Sequence, residues 1–260
     1  MIQRANQTLN ELVTDPEVSV IVAIKNSERF LSQALASIVA QSFKNYEIIV
    51  VDGDSRDNGP AIARSYPRTV CIPQNGTGFA HAWNVGFAAS RGRFITFLDS
   101  DDLWTPDKLK SQLAMFQRNP VTEYVFGRIE FFLEPGTSLP KGFRSTALVG
   151  SLLGHMTGAA MIRRDVMERM GPFEVRWQIA GDIAWFSLLR DSSILGIVDE
   201  VLLRKRLHEG NLSHTTAWPI LKSELFQVLK ERVDRSRLAR GVNNARADNA
   251  AVDLDTSGDS

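Results

Sequence analysis

Residues 93–104 read RFITFLDSDDLW: an apolar run from Phe94 to Leu98 that stops at three carboxylates, Asp99, Asp101 and Asp102. An apolar run of this length between polar signals is the pattern of a buried strand. Three carboxylates at the end of a buried strand are electrostatically costly unless something positive meets them. A divalent cation holding a phosphate-bearing ligand would account for all three together.

Outward from this stretch the same alternation repeats. Val18–Ile24 is a continuous apolar strand pattern broken only by Ser19. Asn26 or Ser27 can cap a following helix, with Glu28 in its first turn where the dipole favours negative charge. Phe30, Leu31, Ala34, Leu35, Ile38 and Val39 recur at helical spacing. Tyr46–Val51 reads as a second strand ending in DGDSRDNG, Pro60–Tyr66 as a helix, Thr69–Ile72 as a short strand and Phe79–Ser90 as a helix. Pro106 suits the first position of a helix running from Trp104 to Gln117. Strand–helix alternation of this kind predicts an α/β fold with a mainly parallel sheet flanked by helices. In such sheets ligands bind outside the carboxyl ends of the strands, where Asp52, Asp54, Asp99 and Asp101 all fall.

The second half is less regular. Glu123–Leu133, Ala159–Arg163 and Ile194–Leu207 read as strands; Asp165–Met170, ended by Gly171-Pro172, and Gly181–Asp191 read as helices. Residues 217–240 have helical character, with Ile220, Leu221, Leu225, Val228 and Leu229 as one apolar stripe. From Gly241 onward small and polar residues dominate without a single aromatic, the composition of a disordered tail.

The chain has 260 residues, with Lys+Arg 30 balancing Asp+Glu 30, so overall charge does not point to nucleic acid. The single cysteine, Cys71, excludes an intramolecular disulfide and reads as a small buried hydrophobe. No apolar stretch reaches spanning length, and the N-terminal residues lack the apolar core of a secretory signal. A cytoplasmic enzyme is the default expectation, with peripheral membrane contact left open.

At this point VSVIVAIKNSERFLSQALASIVAQSFKNYEIIVVDGDSRD and GTGFAHAWNVGFAASRGRFITFLDSDDLWTPDKL matter as motifs in order. They resemble the nucleotide-binding half of family 2 glycosyltransferases, which have the GT-A fold and use nucleoside-diphosphate sugars. The resemblance implies an inverting, metal-dependent transfer, with a UDP-sugar as donor and Mn²⁺ or Mg²⁺ as cofactor. Residues 17–216 would be the GT-A domain: a nucleotide-sugar-binding half over 17–120 and a smaller mixed acceptor half over 121–216. A flexible segment over 1–16, a C-terminal helical segment over 217–240 and a tail over 241–260 would flank it.

The same resemblance implies the site. Ala23, Lys25, Asn26 and Glu28 would line the base pocket, and Asp52 and Asp54 would sit beside base and ribose. Gly53 separates two acids that are more often adjacent in the family. Asp99 would meet ribose or a metal-bound water, Asp101 would be the main metal ligand, and Ser100 lies between them. Gly78 and the helix bearing Asn84 would run beneath nucleotide and sugar, with Trp83 where many relatives carry Arg. Asp182 would be the catalytic base that removes the acceptor proton. His208 would ligate the metal or a phosphate, and Arg206 or Arg204 would neutralise diphosphate charge. Asp102 would mainly cap the following helix. His155 and Thr157 are weaker candidates for sugar contact, and Trp104 and Trp177 for stacking.

Two other readings stay open. Gly53, Trp83 and Gly181 at positions that are usually polar motivate a nucleotide-sugar-binding protein without activity. A sugar-phosphate nucleotidyltransferase would share the acidic sheet edge, but AIKNSERF lacks the glycine-rich phosphate loop it needs. The acceptor (glycan, lipid-linked intermediate, peptide or small molecule) and a homodimer are not decided by the sequence.

Overall fold

The computed structural model describes residues 15–139, 143, 145–154, 156–177, 179–211 and 219–234. The expectations for the tail over 241–260, for His155 and for most of the segment 1–16 lie outside the described residues.

The first half alternates as its pattern requires: β1 Val18–Ile24, α1 Glu28–Val39, β2 Tyr46–Asp52, α2 Gly59–Ser65, β3 Thr69–Pro73, α3 Phe79–Ala89 and β4 Phe94–Phe97. After it come β5 Leu103–Trp104, α4 Lys108–Arg118, β6 Tyr124–Leu133, β7 Leu152–Leu153, β8 Met161–Arg163, α5 Arg164–Met170, α6 Gly181–Ser192 and β9 Leu195–Leu207. A final helix, α7, runs over 219–234. The strands form one sheet in the order β3-β2-β1-β4-β8-β6-β9-β5, with β7 paired to β6. β1 to β4 are mutually parallel, as are β6 and β9, whereas β8, β5 and β7 run antiparallel to their neighbours.

Every residue of β1 is buried, which is why its sequence shows no polar alternation: helices cover both faces of the sheet. Ser19, the one polar break, is satisfied. Its hydroxyl donates to Glu47 Oε1 at 2.7 Å and accepts from Gly92 N–H at 2.8 Å. Phe30, Leu31, Ala34, Leu35 and Ile38 bury the predicted face of α1, with Val39 only partly covered. Each Leu, Ile or Phe side chain among them taken fully from water contributes about 1.5–3 kcal/mol.

Two sequence expectations fail here. Trp104 does not start a helix. It pairs with Leu203 in β5, and Thr105 is tied to β9 by its amide to Leu202 O and its hydroxyl to Val201 O. Pro106 therefore sits in the turn before α4, and Asp107, not Asp102, is the residue at its N-terminus. The stripe expected on α7 also splits. Leu221 and Val228 are buried against Trp177 and Ala180, while Ile220 and Leu229 are exposed at 41% and 60%. Leu225 packs partly buried beside Leu221 and Val228, and Glu224 joins the inner face. Its Oε2 accepts the amides of Ile179 and Ala180.

Candidate active site

Because β1, β2 and β4 are parallel and in register (Ile24 beside Asp52, Ile21 beside Phe97), their carboxyl ends open on one edge. The loops that follow bring together Lys25, Asn26, Asp52, Asp54, Asp99 and Asp101 on that edge. Two loops are laced reciprocally. The Asn26 amide donates to Ser55 Oγ at 2.9 Å, and Asn26 Oδ1 accepts from Arg56 N–H at 2.9 Å. Glu28 Oε2 accepts from Asn58 N–H, and Asp57 Oδ2 accepts from Glu28 N–H. Asn26 and Glu28 thus work as loop clasps, leaving Lys25 and Asp54 exposed beside them. Asn26 and Asp54 have φ of 51° and 64°, a conformation that short polar side chains tolerate.

Gly53 has a packing reason. A Cβ there would lie 2.8 Å from Gln74 Oε1 and 3.3 Å from Ile24 O, in a junction also closed by Gly53 N–H to Ile24 O. Gln74 in turn donates to Gly78 O and so fixes the loop that opens α3. Asn84, on α3, is wholly engaged. Its amide nitrogen donates to Phe173 O and its oxygen accepts Phe173 N–H, locking the second half of the chain onto the first.

The acidic end of β4 divides its work among its residues. Ligand oxygens of Asp99, Asp101 and Asp102 lie within 4.8 Å of one another. Asp102 is fully buried: Oδ1 accepts Arg206 N–H at 2.9 Å and Oδ2 lies 2.9 Å from Lys205 Nζ. Burial, with Asp101 and Asp99 adding, pushes its carboxyl up to about 8, against the pull of Lys205. The expected helix cap is therefore a buried partner of β9. Lys205 also reaches Asp99 Oδ2 at 2.9 Å. Burial opposes its charge, yet Asp102, Asp99 and Asp101 hold it well above the ordinary lysine range. Asp101 Oδ2 meets His208 Nε2 at 3.0 Å and Asn211 Nδ2 at 3.1 Å. Burial raises the Asp101 carboxyl, but Lys205 and His208 outweigh it and leave it below its ordinary value. Ser100 Oγ donates to Ser27 Oγ, tying this loop to the first.

His208 is brought against the acidic end of β4, as its expected place beside the metal requires. Its Nδ1 accepts Gly210 N–H, so in the neutral ring Nε2 carries the proton and donates to Asp101. It orients that carboxylate. Arg206 is redirected. It is 3% exposed, with Nε on Asp101 O, Nη2 on Gln33 Oε1 and Nη1 on Glu134, and its plane lies over Phe30 and Phe132. Each of its three nitrogens is engaged within the fold and the group is buried, which turns it away from a diphosphate. Arg204 forms a half-exposed pair with Glu130. Trp104 and Trp177 are each 4% exposed, and Trp104 donates to Gly158 O, so neither presents a face for stacking.

Asp182 lies in the first turn of α6, partly buried. Its Oδ2 accepts the Thr157 hydroxyl at 3.0 Å and its Oδ1 accepts Ile183 N–H at 2.7 Å. Burial pushes its carboxyl up to about 6, with the Asp99 charge adding to the rise and Thr157 and Ile183 opposing it. The Asp99 charge is a lesser cause of that rise, so Asp182 lies within electrostatic reach of the acidic end of β4. A carboxylate poised near 6 is suited to proton abstraction. Sequence reasoning overlooked Lys205. The sign was present in KRLHEGN, where one basic residue more than a single strand face can hold precedes the loop.

A family model described as glycosyl transferase family 2 matches residues 19–194. The chain is 28% identical over 224 residues to UDP-Glc:alpha-D-GlcNAc-diphosphoundecaprenol beta-1,3-glucosyltransferase WfgD of Escherichia coli, covering 84% of each protein. Mannosyltransferase PcManGT from Pyrobaculum calidifontis, solved with GDP-Man and Mn2+, superposes with a TM-score of 0.62 at 19% identity, over 89% of this chain and 70% of that one. S. aureus TarS 1-349 in complex with UDP-GlcNAc gives a TM-score of 0.60 at 20% identity, over 75% of this chain. This chain spans only 60% of the length of that TarS fragment. The fold of this chain is the GT-A fold of those structures.

Proposed function

The chain belongs to glycosyl transferase family 2 and is a glycosyltransferase, and from that premise we propose that it is metal-dependent and inverting, moving a sugar from a UDP-sugar to an acceptor nucleophile. The observation that carries the reading is the acidic end of β4, where ligand oxygens of Asp99, Asp101 and Asp102 lie within 4.8 Å of one another, together with Asp182 held by Thr157 and Ile183 at the start of α6. One group can take a proton from an acceptor while the other half of the site holds the leaving diphosphate.

The donor set fits a hard divalent cation. Asp99 and Asp101 offer carboxylate oxygens at the mouth of the cluster, 38% and 23% exposed, whereas buried Asp102 is engaged with β9. Oxygen ligands of this kind suit Mg²⁺ or Mn²⁺. Bound there, the ion would supply Lewis-acid stabilisation of the departing diphosphate. His208 and Asn211 hold Asp101 in place for it. Lys25, Asp52 and Asp54 border the base side of the same edge. Asp182 then accepts the acceptor proton as the nucleophile attacks the anomeric carbon from the face opposite the leaving group, giving inversion. Thr157 keeps the accepting oxygen oriented. No helix among the described residues is long and apolar enough to cross a membrane. A cytoplasmic setting and a glycan or lipid-linked acceptor are part of the same proposal.

The test is a thermal-shift panel of UDP- and GDP-sugars with and without Mn²⁺, followed by the anomeric configuration of the transferred sugar by NMR. Stabilisation by a UDP-sugar that requires Mn²⁺ and is lost in Asp101→Ala is the expected outcome. Full transfer by Asp101→Ala or Asp182→Asn, or retention of configuration, overturns the assignment.

A further inference from the structure

Lys205 is the feature that the transfer mechanism does not absorb. It projects from β9 into the acidic end of β4, 17% exposed, with Nζ 2.9 Å from Asp99 Oδ2 and 2.9 Å from Asp102 Oδ2. The contact with Asp102 has a structural purpose, because a fully buried carboxyl left without a partner for its oxygen is destabilising. The contact with Asp99 has no such need. Asp99 is 38% exposed and water can solvate it. The ammonium therefore takes an oxygen of one of the two carboxylates left to face the cleft.

We infer that Lys205 is a tethered counter-ion that competes with the divalent cation for Asp99, so that the protein takes up metal tightly only together with a nucleoside diphosphate. This rests on the metal-dependent reading above. A cation held by Asp99 and Asp101 lies within a few ångströms of the ammonium, since all three carboxylates fall inside 4.8 Å. Like charges at that range, away from bulk water, repel strongly. Asp102 cannot turn outward to compensate, because Arg206 N–H and Lys205 hold both its oxygens. Diphosphate oxygens add negative charge on the open side of the ion and offset the ammonium. Lys205 thus suppresses metal uptake by the empty site while remaining close enough to face the diphosphate when the donor is bound.

The experiment counts free Mn²⁺ by EPR during titration of the full chain, with no nucleotide, with UDP and with GDP. Wild type, Lys205→Met, Lys205→Arg and Asp101→Asn are compared. Lys205→Met should bind Mn²⁺ alone at least tenfold more tightly than wild type, Lys205→Arg should match wild type, and UDP should tighten Mn²⁺ binding more in wild type than in Lys205→Met. Equal or weaker binding of Mn²⁺ alone by folded Lys205→Met overturns the inference and leaves the metal reading standing. No Mn²⁺ uptake by wild type with either nucleotide overturns the metal reading, and this inference with it. Should Lys205→Met not fold, the ¹⁵N signal of the Lys205 ammonium in wild type serves instead. It should shift or exchange faster on adding Mg²⁺ with UDP, and an unchanged signal at saturation overturns the inference.

Discussion

Replacing Asp182 with Asn should stabilise the folded protein while removing its activity. Moving a carboxyl from its ordinary 3.8 to about 6 disfavours the charged form in the fold by about 3 kcal/mol. The sign follows from proton counting. Between pH 3.8 and about 6 the folded state holds a proton that the unfolded chain has released, so stability falls as pH rises through that window. Below it the penalty is absent; above it the penalty is complete. Asn can turn its oxygen to accept Ile183 N–H and donate its NH2 to the Thr157 hydroxyl, so it loses the charge while both neighbours keep a partner. The Asn variant should therefore gain about 1 kcal/mol at pH 4.5 and about 3 kcal/mol at pH 8. Denaturant unfolding of both proteins in metal-free buffer at the two pH values measures this, since every other titrating group is common to the pair. Transfer activity of the same variant should fall by about 10²-fold or more. A variant no more stable than wild type at pH 8, or one whose gain is the same at both pH values, would refute the argument that the fold disfavours the Asp182 charge.

Thr157→Val removes a hydrogen bond that lowers the Asp182 carboxyl. The acid limb of the pH–rate profile should move upward with donor KM unchanged, and a stationary limb would show that Thr157 does not set it. Asn84→Ala strands the amide and carbonyl of Phe173 and should cost about 1–3 kcal/mol in chemical unfolding. Gly53→Asp, which puts three acids in a row with Asp52 and Asp54, should cost about 1–3 kcal/mol because its Cβ meets Gln74 and the Ile24 carbonyl. Gln74→Ala in the same chain should recover part of that loss, and an unaffected unfolding midpoint in the single variant would contradict the close contact.

Much of the nucleotide-side architecture was legible because it is written in local burial. β1, β2 and β4 are apolar on both faces, so their ends could be found to within a residue, and parallel strands must turn their ends to one edge. The sequence alone therefore puts Asp52, Asp99 and Asp101 on one edge. Trp104 failed for a matching reason. Pro106 and the apolar residues after it satisfy a helix pattern locally, and only the antiparallel pairing of β5 with β9 draws Leu103 and Trp104 into the sheet. Asp102 failed similarly: an acid before a helix reads as a cap until Lys205 and Arg206 arrive from a strand about a hundred residues later. The apolar stripe of α7 holds for Leu221, Leu225 and Val228, but not for Ile220 and Leu229, and a buried Glu224, satisfied by two amides, joins it against the polar-outside rule.

By itself, then, the sequence determined the α/β alternation, the ligand-bearing edge and the acids that stand on it. These are properties of single segments: periodicity, a strand end, a helix start. The tertiary structure alone decided the division of labour among those acids. Whether a carboxylate faces the cleft, as Asp99 and Asp101 do, or is sealed against a lysine, as Asp102 is, depends on the register between β4, β5 and β9. No local pattern encodes that register, because it is set by how the whole sheet packs.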